Sequence, residues 1–239
     1  FDINMGGWAK GGPYTGKKYF SPFKNPELHP DSPEGEHLPN RLADETVKFI
    51  NQNKDNAFLA YLSFYSVHTP LQGRKDLVEK YKKKATKISG EEFGPLHDRK
   101  VRILQKHTVY AAMVEAMDEA IGKVLTALED ARVTENTMVV FTSDNGAEAS
   151  GPEDHDSFAG RRGPAALGYH TDYERLGLKG SYNTISPSFA SAAVSPLAYY
   201  KFYAGEGGMR VPLIIAGKPV ARQQQLARAF AWATDISPT

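Results

Sequence analysis

The stretch TMVVFTSDNGAEA, from Thr137 to Ala149, decides how the fold of this chain is interpreted. It begins apolar and β-branched, as a buried strand does, and then stops abruptly on Asp144, Asn145 and Gly146. An Asn-Gly pair also favours a type I′ hairpin turn, but the residues that follow are polar and glycine-rich and lack the period of two of a second strand. The stretch therefore predicts a strand that ends on two neighbouring side-chain oxygens. Oxygens of this kind are the ligands that hard cations such as calcium take.

Strand and helix patterns alternate on both sides of this stretch. Apolar residues at helical spacing predict one helix capped by Asn40 and a second helix from Val109 to Leu128. The continuous apolar run AFLAYLSFYS at 57–66 predicts a strand covered on both faces, and a short strand is predicted at 211–216. This order predicts an α/β fold in which a mostly parallel sheet carries helices on both faces. Because ligands of such sheets lie beyond the carboxyl ends of the strands, the residues that follow 66 and 143 are expected to share one crevice.

The remaining segments and the composition limit what the protein can do. Residues 1–39 are rich in glycine and proline, which predicts an irregular segment lying over the rest of the domain, and the basic run at 74–90 is interpreted as a solvated surface. The 239 residues carry a net charge of +1, so no global field favours nucleic acid or a membrane surface, and no apolar run is long enough to span a bilayer. The absence of cysteine excludes disulfides, cysteine-ligated zinc and a cysteine-derived nucleophile within this chain.

Two further residues are candidates for chemistry. His68 lies in SVHTP, where Pro70 ends the predicted strand, and a loop histidine there could act as an acid, a base or an anion donor, or could only cap local backbone. Lys201 stands among tyrosines just before a glycine pair, and considered alone it is interpreted as a lysine whose stem packs on the aromatic rings.

The order of these motifs resembles the type I sulfatases of the alkaline phosphatase superfamily. YLSFYSVHTPLQ and VYAAMVEAMDEAIGKVLTALED are similar to N-acetylgalactosamine-6-sulfatase-like bacterial enzymes, whereas LGLKGSYNTISPSFASAAVSPLAYYKFYAGEGGMRVP is similar to bacterial arylsulfatases with a long insert before the lysine. The resemblance covers nearly the whole chain and implies an alkaline phosphatase-like sulfatase core that is incomplete at both ends. Residues 1–239 would then be the central part of a single catalytic domain, without its N-terminal nucleophile segment and its small C-terminal domain.

The same resemblance implies roles for individual residues. Asp144 and Asn145 would bind one catalytic Ca²⁺, while His68 and Lys201 would contact the sulfate ester of a sugar or an aryl alcohol. The family's nucleophile is a formylglycine made within a C/S-x-P-S/T-R motif, and the nearest match, ISPSF at Ile185 to Phe189, has isoleucine and phenylalanine at the decisive positions. The family's two N-terminal calcium aspartates and its K-x-H pair are also missing. We therefore expect the complete parent, periplasmic or secreted by resemblance, to be a sulfatase and this chain alone to be inactive.

Two alternatives remain open at the level of the sequence. A phosphate or phosphonate monoesterase of the same superfamily would use a similar cation and similar basic residues. A non-catalytic module that binds calcium or a sulfated glycan would need no nucleophile at all. A formylglycine motif with an arginine would favour the sulfatase, and a threonine or serine with other metal ligands would favour the phosphoesterase. A natural gene that begins near Phe1 would favour the non-catalytic module.

Overall fold

The computed structural model describes residues 1–14, 18–96, 99–149, 168–170, 173–218, 220 and 224–236. The helices are α1 (Leu38–Asn53), α2 (Lys75–Ala85), α3 (Thr108–Asp130), α4 (Ser186–Val194) and the short α5 (Glu206–Met209). The strands are β1 (Phe93–Leu96), β2 (Arg99–Arg102), β3 (Val139–Thr142) and β4 (Leu213–Ala216). Single 3-10 turns occupy Thr134–Asn136, Tyr173–Arg175 and Ala233–Asp235.

Helix α3 is the central element of the core, and it packs against both α1 and α2. Its apolar stripe repeats at the helical period, so one face is buried along its length, with Ala112, Met113 and Ala116 fully inaccessible to solvent. The predicted helix from Val109 to Leu128 is thereby confirmed. Among the described helices, none is both long and apolar enough to cross a membrane.

Helix α1 is also confirmed, but its predicted start is wrong. The helix begins at Leu38 and the N-cap position is His37, so Asn40 lies inside the first turn and caps nothing. The reason is Pro39, whose fixed φ suits the first turn of a helix and whose missing N–H is not needed there. The helix therefore starts three residues before the position that an N-cap at Asn40 predicts.

The irregular N-terminal segment lies over the helices, as its composition predicts. Its described part contains no helix or strand before α1, yet Tyr19, Phe20, Phe23 and Leu28 are buried in the same cluster as the inner face of α3. The lysines of α2 are exposed, which confirms that the basic run at 74–90 is a solvated surface.

The predicted mostly parallel sheet is not confirmed in the described residues. Both sheets have two strands and both are antiparallel: β1 pairs with β2, and β3 pairs with β4 through the register Val139 to Ala216 and Thr142 to Leu213. The predicted strand before Asp144 is therefore confirmed as β3, but it pairs antiparallel with β4, the strand that follows α5.

The predicted strand at 57–66 is wrong, because no described segment pairs with it. Phe58, Leu62 and Phe64 pack against the two apolar clusters, whereas Leu59 and Tyr61 are 75% and 76% exposed. The segment thus covers the helices with one face only, and the apolar run that suggested burial on both faces leaves its other face open to solvent.

Candidate active site

The SDNG loop after β3 packs directly against the EGG turn of α5. The Gly146 N–H donates to the Gly208 carbonyl oxygen at 3.1 Å, and a Cβ on Gly146 would fall on the backbone of Gly207. Asn145 and Gly146 are both described and neither has a positive φ, so the loop is not a type I′ turn and the hairpin alternative is excluded. These glycines are needed for close approach of two backbones.

Lys201 is held beside this loop by two contacts. Its backbone N–H donates to the Ala147 carbonyl oxygen at 3.1 Å, and its Nζ lies 2.9 Å from Oε2 of Glu148. The side chains of Lys201 and Glu148 are only 22% and 13% exposed, so the ion pair is largely shielded from water. Lys201 is therefore a positioned cation beside the end of β3, although its Nζ also lies 5.3 Å from the centre of the Phe202 ring.

His68 is half-buried, and its Nδ1 lies 2.9 Å from the Thr69 carbonyl oxygen and 3.2 Å from the Tyr14 hydroxyl. A carbonyl oxygen can only accept, so this geometry assigns the proton of the neutral ring to Nδ1. In that tautomer Nε2 carries the lone pair, and protonation turns Nε2 into a donor. The buried hydroxyl of Tyr19 holds the backbone at 65–68 in place. It donates to the Tyr65 carbonyl oxygen at 2.6 Å and lies 2.9 Å from the His68 carbonyl oxygen.

Tyrosines connect the histidine to the lysine pair. The pKa of Tyr14 is raised to about 12, mainly by burial and also by the nearby Tyr182 and Glu148, while a hydrogen bond with the Thr69 side chain opposes them. Burial and Glu148 likewise raise the pKa of Tyr182, while a hydrogen bond with the Thr69 side chain opposes them. His68, Tyr14, Tyr182, Glu148 and Lys201 therefore lie in one cluster: His68 contacts Tyr14, Lys201 pairs with Glu148, and the two phenols, which remain protonated at neutral pH, are within electrostatic range of Glu148.

The Asp144 carboxylate is exposed at the end of β3, and Asn145 is half-buried beside it. Together they offer oxygen donors of the type that Ca²⁺ takes, but a calcium ion needs six to eight such oxygens. Among the described residues no group of three or more histidine, aspartate and glutamate side chains could hold a metal ion. These two side chains are thus of a type that fits calcium, but by themselves they are too few to form a calcium site.

The structure brings together most of the predicted residues and adds others. Lys201 and the Asp144–Asn145 loop meet through backbone hydrogen bonds, and His68 contacts Tyr14, which lies within electrostatic range of Glu148. Sequence reasoning missed Glu148, Tyr14 and Tyr182. The only available signal was for Glu148, which lies four residues after Asp144 in the same loop, whereas the two tyrosines come from segments with no motif.

The sulfatase family model matches residues 4–239 of this chain. An uncharacterized sulfatase of Schizosaccharomyces pombe is 30% identical over 232 residues, which cover 84% of this chain and 42% of the yeast protein. A sulfatase of Formosa agariphila is 32% identical over 212 residues, which cover 82% of this chain and 34% of that protein. The crystal structure of Ps i-CgsB aligns with 80% of this chain and 30% of its own, with a TM-score of 0.47 and 23% identity.

The match of the family model along nearly the whole chain shows the class of protein: it belongs to the sulfatase family. The chain spans about two fifths of the length of the yeast relative and about one third of the Formosa relative.

Proposed function

We propose that the full-length protein hydrolyses sulfate monoesters of a sugar or an aryl alcohol, and that residues 1–239 are the central part of its catalytic domain. The single observation that carries this proposal is the cluster that links His68 to the Lys201–Glu148 pair beside the end of β3. Cleavage of a sulfate ester spreads negative charge over the sulfuryl oxygens and onto the departing oxygen. A fixed ammonium and a histidine that can donate a proton meet these two needs.

Each residue has a separate task in this proposal. The Lys201 ammonium has three N–H donors, of which the contact with Glu148 uses one, so it can also bind sulfuryl oxygens. Glu148 fixes the direction of the ammonium. Because the Thr69 carbonyl oxygen holds Nδ1, protonated His68 presents its Nε2–H to the departing alkoxide or phenoxide.

Asp144 and Asn145 would supply part of a calcium site, and segments of the full-length protein outside these residues would supply the rest. When bound, the cation would neutralise charge on the sulfuryl group. The nucleophile would likewise come from outside, since ISPSF begins helix α4 and places the buried Ile185 where a nucleophile would have to stand. Export to the periplasm or the exterior also belongs to this proposal and rests on the family alone.

The roles of His68 and Lys201 are separated by changing the leaving group in the full-length protein. Proton donation contributes roughly 10²–10⁴-fold and is needed most when the leaving oxygen is basic, so His68→Ala should lose far more kcat/KM on a sugar sulfate than on nitrophenyl sulfate. Lys201→Ala removes charge stabilisation that every leaving group needs, and it should lose roughly 10²–10³-fold on both substrates.

The exposed Lys83 on α2 provides the control, and Lys83→Ala should leave kcat/KM unchanged on both substrates. Equal losses for His68→Ala on the two substrates would contradict its role as an acid. Faster turnover of nitrophenyl phosphate than of nitrophenyl sulfate by the unmodified protein would replace the sulfatase proposal with a phosphoesterase.

The calcium role is tested by Asp144→Ala in the full-length protein. Removing a charged ligand leaves the cation under-coordinated, so calorimetry should record the loss of calcium binding together with the loss of activity. Asp118→Ala, on the exposed face of α3, is the matched control for removing a carboxylate. Unchanged calcium affinity in Asp144→Ala would exclude this residue from the site.

A further inference from the structure

A cavity of about 760 Å³ adjoins the candidate active site through Tyr182. It is formed where β1 and β2 meet the starts of α3 and α4, and Tyr182 belongs both to its wall and to the cluster around Glu148. Its volume is within the range of sites that bind small organic ligands. None of the functional roles described above uses it.

The lining of this cavity is cationic. It includes Arg102 and Lys106, and the described residues that line it include no aspartate or glutamate. The backbone adds to this bias, because His107 is the N-cap of α3 and Ile185 the N-cap of α4, so two helix N-termini lie at the wall. An anionic group is therefore the ligand that the cavity favours.

Arg102 is held in place for such a role. Its guanidinium lies 4.6 Å from the centre of the Phe93 ring and donates to Oε2 of Glu92 at 3.1 Å. A guanidinium has five N–H donors, and the contact with Glu92 uses one, so most of the fork is available to a second planar or tetrahedral anion. Lys106 lies half-buried nearby and forms no ion pair with any described side chain.

His107 is not part of the anion-binding set. Its Nδ1 accepts from the Tyr110 N–H at 3.1 Å, its Nε2 lies 3.4 Å from the Thr184 carbonyl oxygen, and burial lowers its pKa. The ring is therefore neutral, and its two nitrogens are already used in hydrogen bonds to the backbone, one of which caps the start of α3. The wall also carries three aromatic rings, of Phe93, Tyr182 and Phe189, which can pack against the apolar faces of sugar rings. Its remaining residues are polar or aliphatic and include His170, Asn183 and Leu176.

We propose that this cavity is a second anion subsite, in which Arg102 and Lys106 bind a sulfate on another sugar of the substrate whose scissile sulfate lies at His68 and Lys201. The inference rests on the proposed function and adds a substrate class to it: an oligosaccharide that carries more than one sulfate, rather than a singly sulfated alcohol. Tyr182 separates the two anions and contacts the sugar between them.

The test measures binding and turnover in the full-length protein with two probes. One is a tetrasaccharide with a sulfate on each sugar, and the other is the same tetrasaccharide with a single terminal sulfate. Arg102→Gln/Lys106→Gln removes both charges with little change of volume, and Lys83→Gln on exposed α2 controls for net charge. Melting temperatures check folding, and the single variant Lys106→Gln replaces the double variant if the latter does not fold.

We expect the unmodified protein and Lys83→Gln to prefer the multiply sulfated probe by about 10–100-fold in calorimetry, the effect of one or two hydrogen bonds to a charged group. The double variant should lose this preference while its kcat/KM on nitrophenyl sulfate stays within about twofold. The same variant should also show a weaker dependence of affinity on salt.

Two results would overturn the subsite: no preference for the multiply sulfated probe in the unmodified protein, or an unchanged preference in the double variant. A protein that prefers this probe but turns over no sulfate ester would keep the subsite and refute the proposed function. A protein that hydrolyses nitrophenyl sulfate without any preference between the probes would keep the proposed function and refute the subsite.

Discussion

Adding one methyl group at Gly146 should damage both the stability of the protein and its active site. The Cβ of Gly146→Ala would overlap the carbonyl oxygen of Gly207. It would also lie 2.9 Å from the carbonyl carbon of Gly207 and 3.1 Å from Cα of Gly208, whereas carbon atoms in contact are normally about 3.5–4.0 Å apart. All three neighbours are backbone atoms that cannot rotate away, so the SDNG loop and the EGG turn must separate by at least about 1 Å.

The cost follows from this separation. Overpacking of a tight contact costs about 1–3 kcal/mol, and the hydrogen bond from the Gly146 N–H to the Gly208 carbonyl oxygen contributes about 1 kcal/mol more. We therefore expect a loss of about 2–4 kcal/mol in the free energy of unfolding. A shift of about 1 Å between Asp144 and Lys201 should also lower kcat/KM on nitrophenyl sulfate by roughly 10²-fold in the full-length protein.

Urea titration measures the first quantity and steady-state kinetics the second. The matched control is Gly122→Ala on α3, where an added Cβ meets nothing within 4 Å and should stabilise the helix by about 0.5–1 kcal/mol. If Gly146→Ala unfolds at the same urea concentration as the unmodified protein, the close contact between the two motifs does not exist and the reasoning fails.

Two further predictions concern stability. Burial lowers the pKa of His37 to about 4. As the pH falls below 6.5, the unfolded chain therefore binds a proton at this residue while the native state does not. The free energy of unfolding should consequently fall by about 3 kcal/mol between pH 6.5 and 4. His37→Gln should flatten this slope in urea titrations at pH 7 and pH 4.5, and an unchanged slope would contradict the assignment. Met113 is fully buried and its sulfur accepts from the Gln72 N–H, so Met113→Ala should cost about 2–5 kcal/mol, clearly more than Met117→Ala at a half-buried position; equal costs would refute the central place of Met113.

The helices could be predicted from the sequence because their signal is local. The stripe around Met113 repeats within one segment, and its period alone determines which face is buried. The strand before Asp144 could be predicted for the same reason. Its partner could not, because an apolar run such as Leu213–Ala216 does not encode whether its neighbour runs parallel or antiparallel.

The failure at 57–66 has the same origin. An apolar run indicates only that its side chains are more stable out of water. Whether both of its faces are buried depends on neighbouring strands, and no described segment pairs with 57–66. At the candidate site, His68, Asp144 and Lys201 were found through motifs, whereas Tyr14 reaches His68 from a segment 54 residues away without any periodic signal. Such long-range contacts are a property of tertiary packing rather than of a pattern.

The open face of 57–66 has a consequence for the behaviour of this chain in solution. Leu59 and Tyr61 face water together with Ile214 and Ile215 of β4, and a net charge of +1 gives the molecules almost no mutual repulsion at neutral pH. Colloidal stability is therefore low: concentrated solutions of the 239-residue chain should self-associate through apolar contact, and more readily at high ionic strength. Replacing the exposed Leu59 and Ile214 by lysine would add charge at these apolar positions, and the resulting repulsion between molecules should reduce self-association.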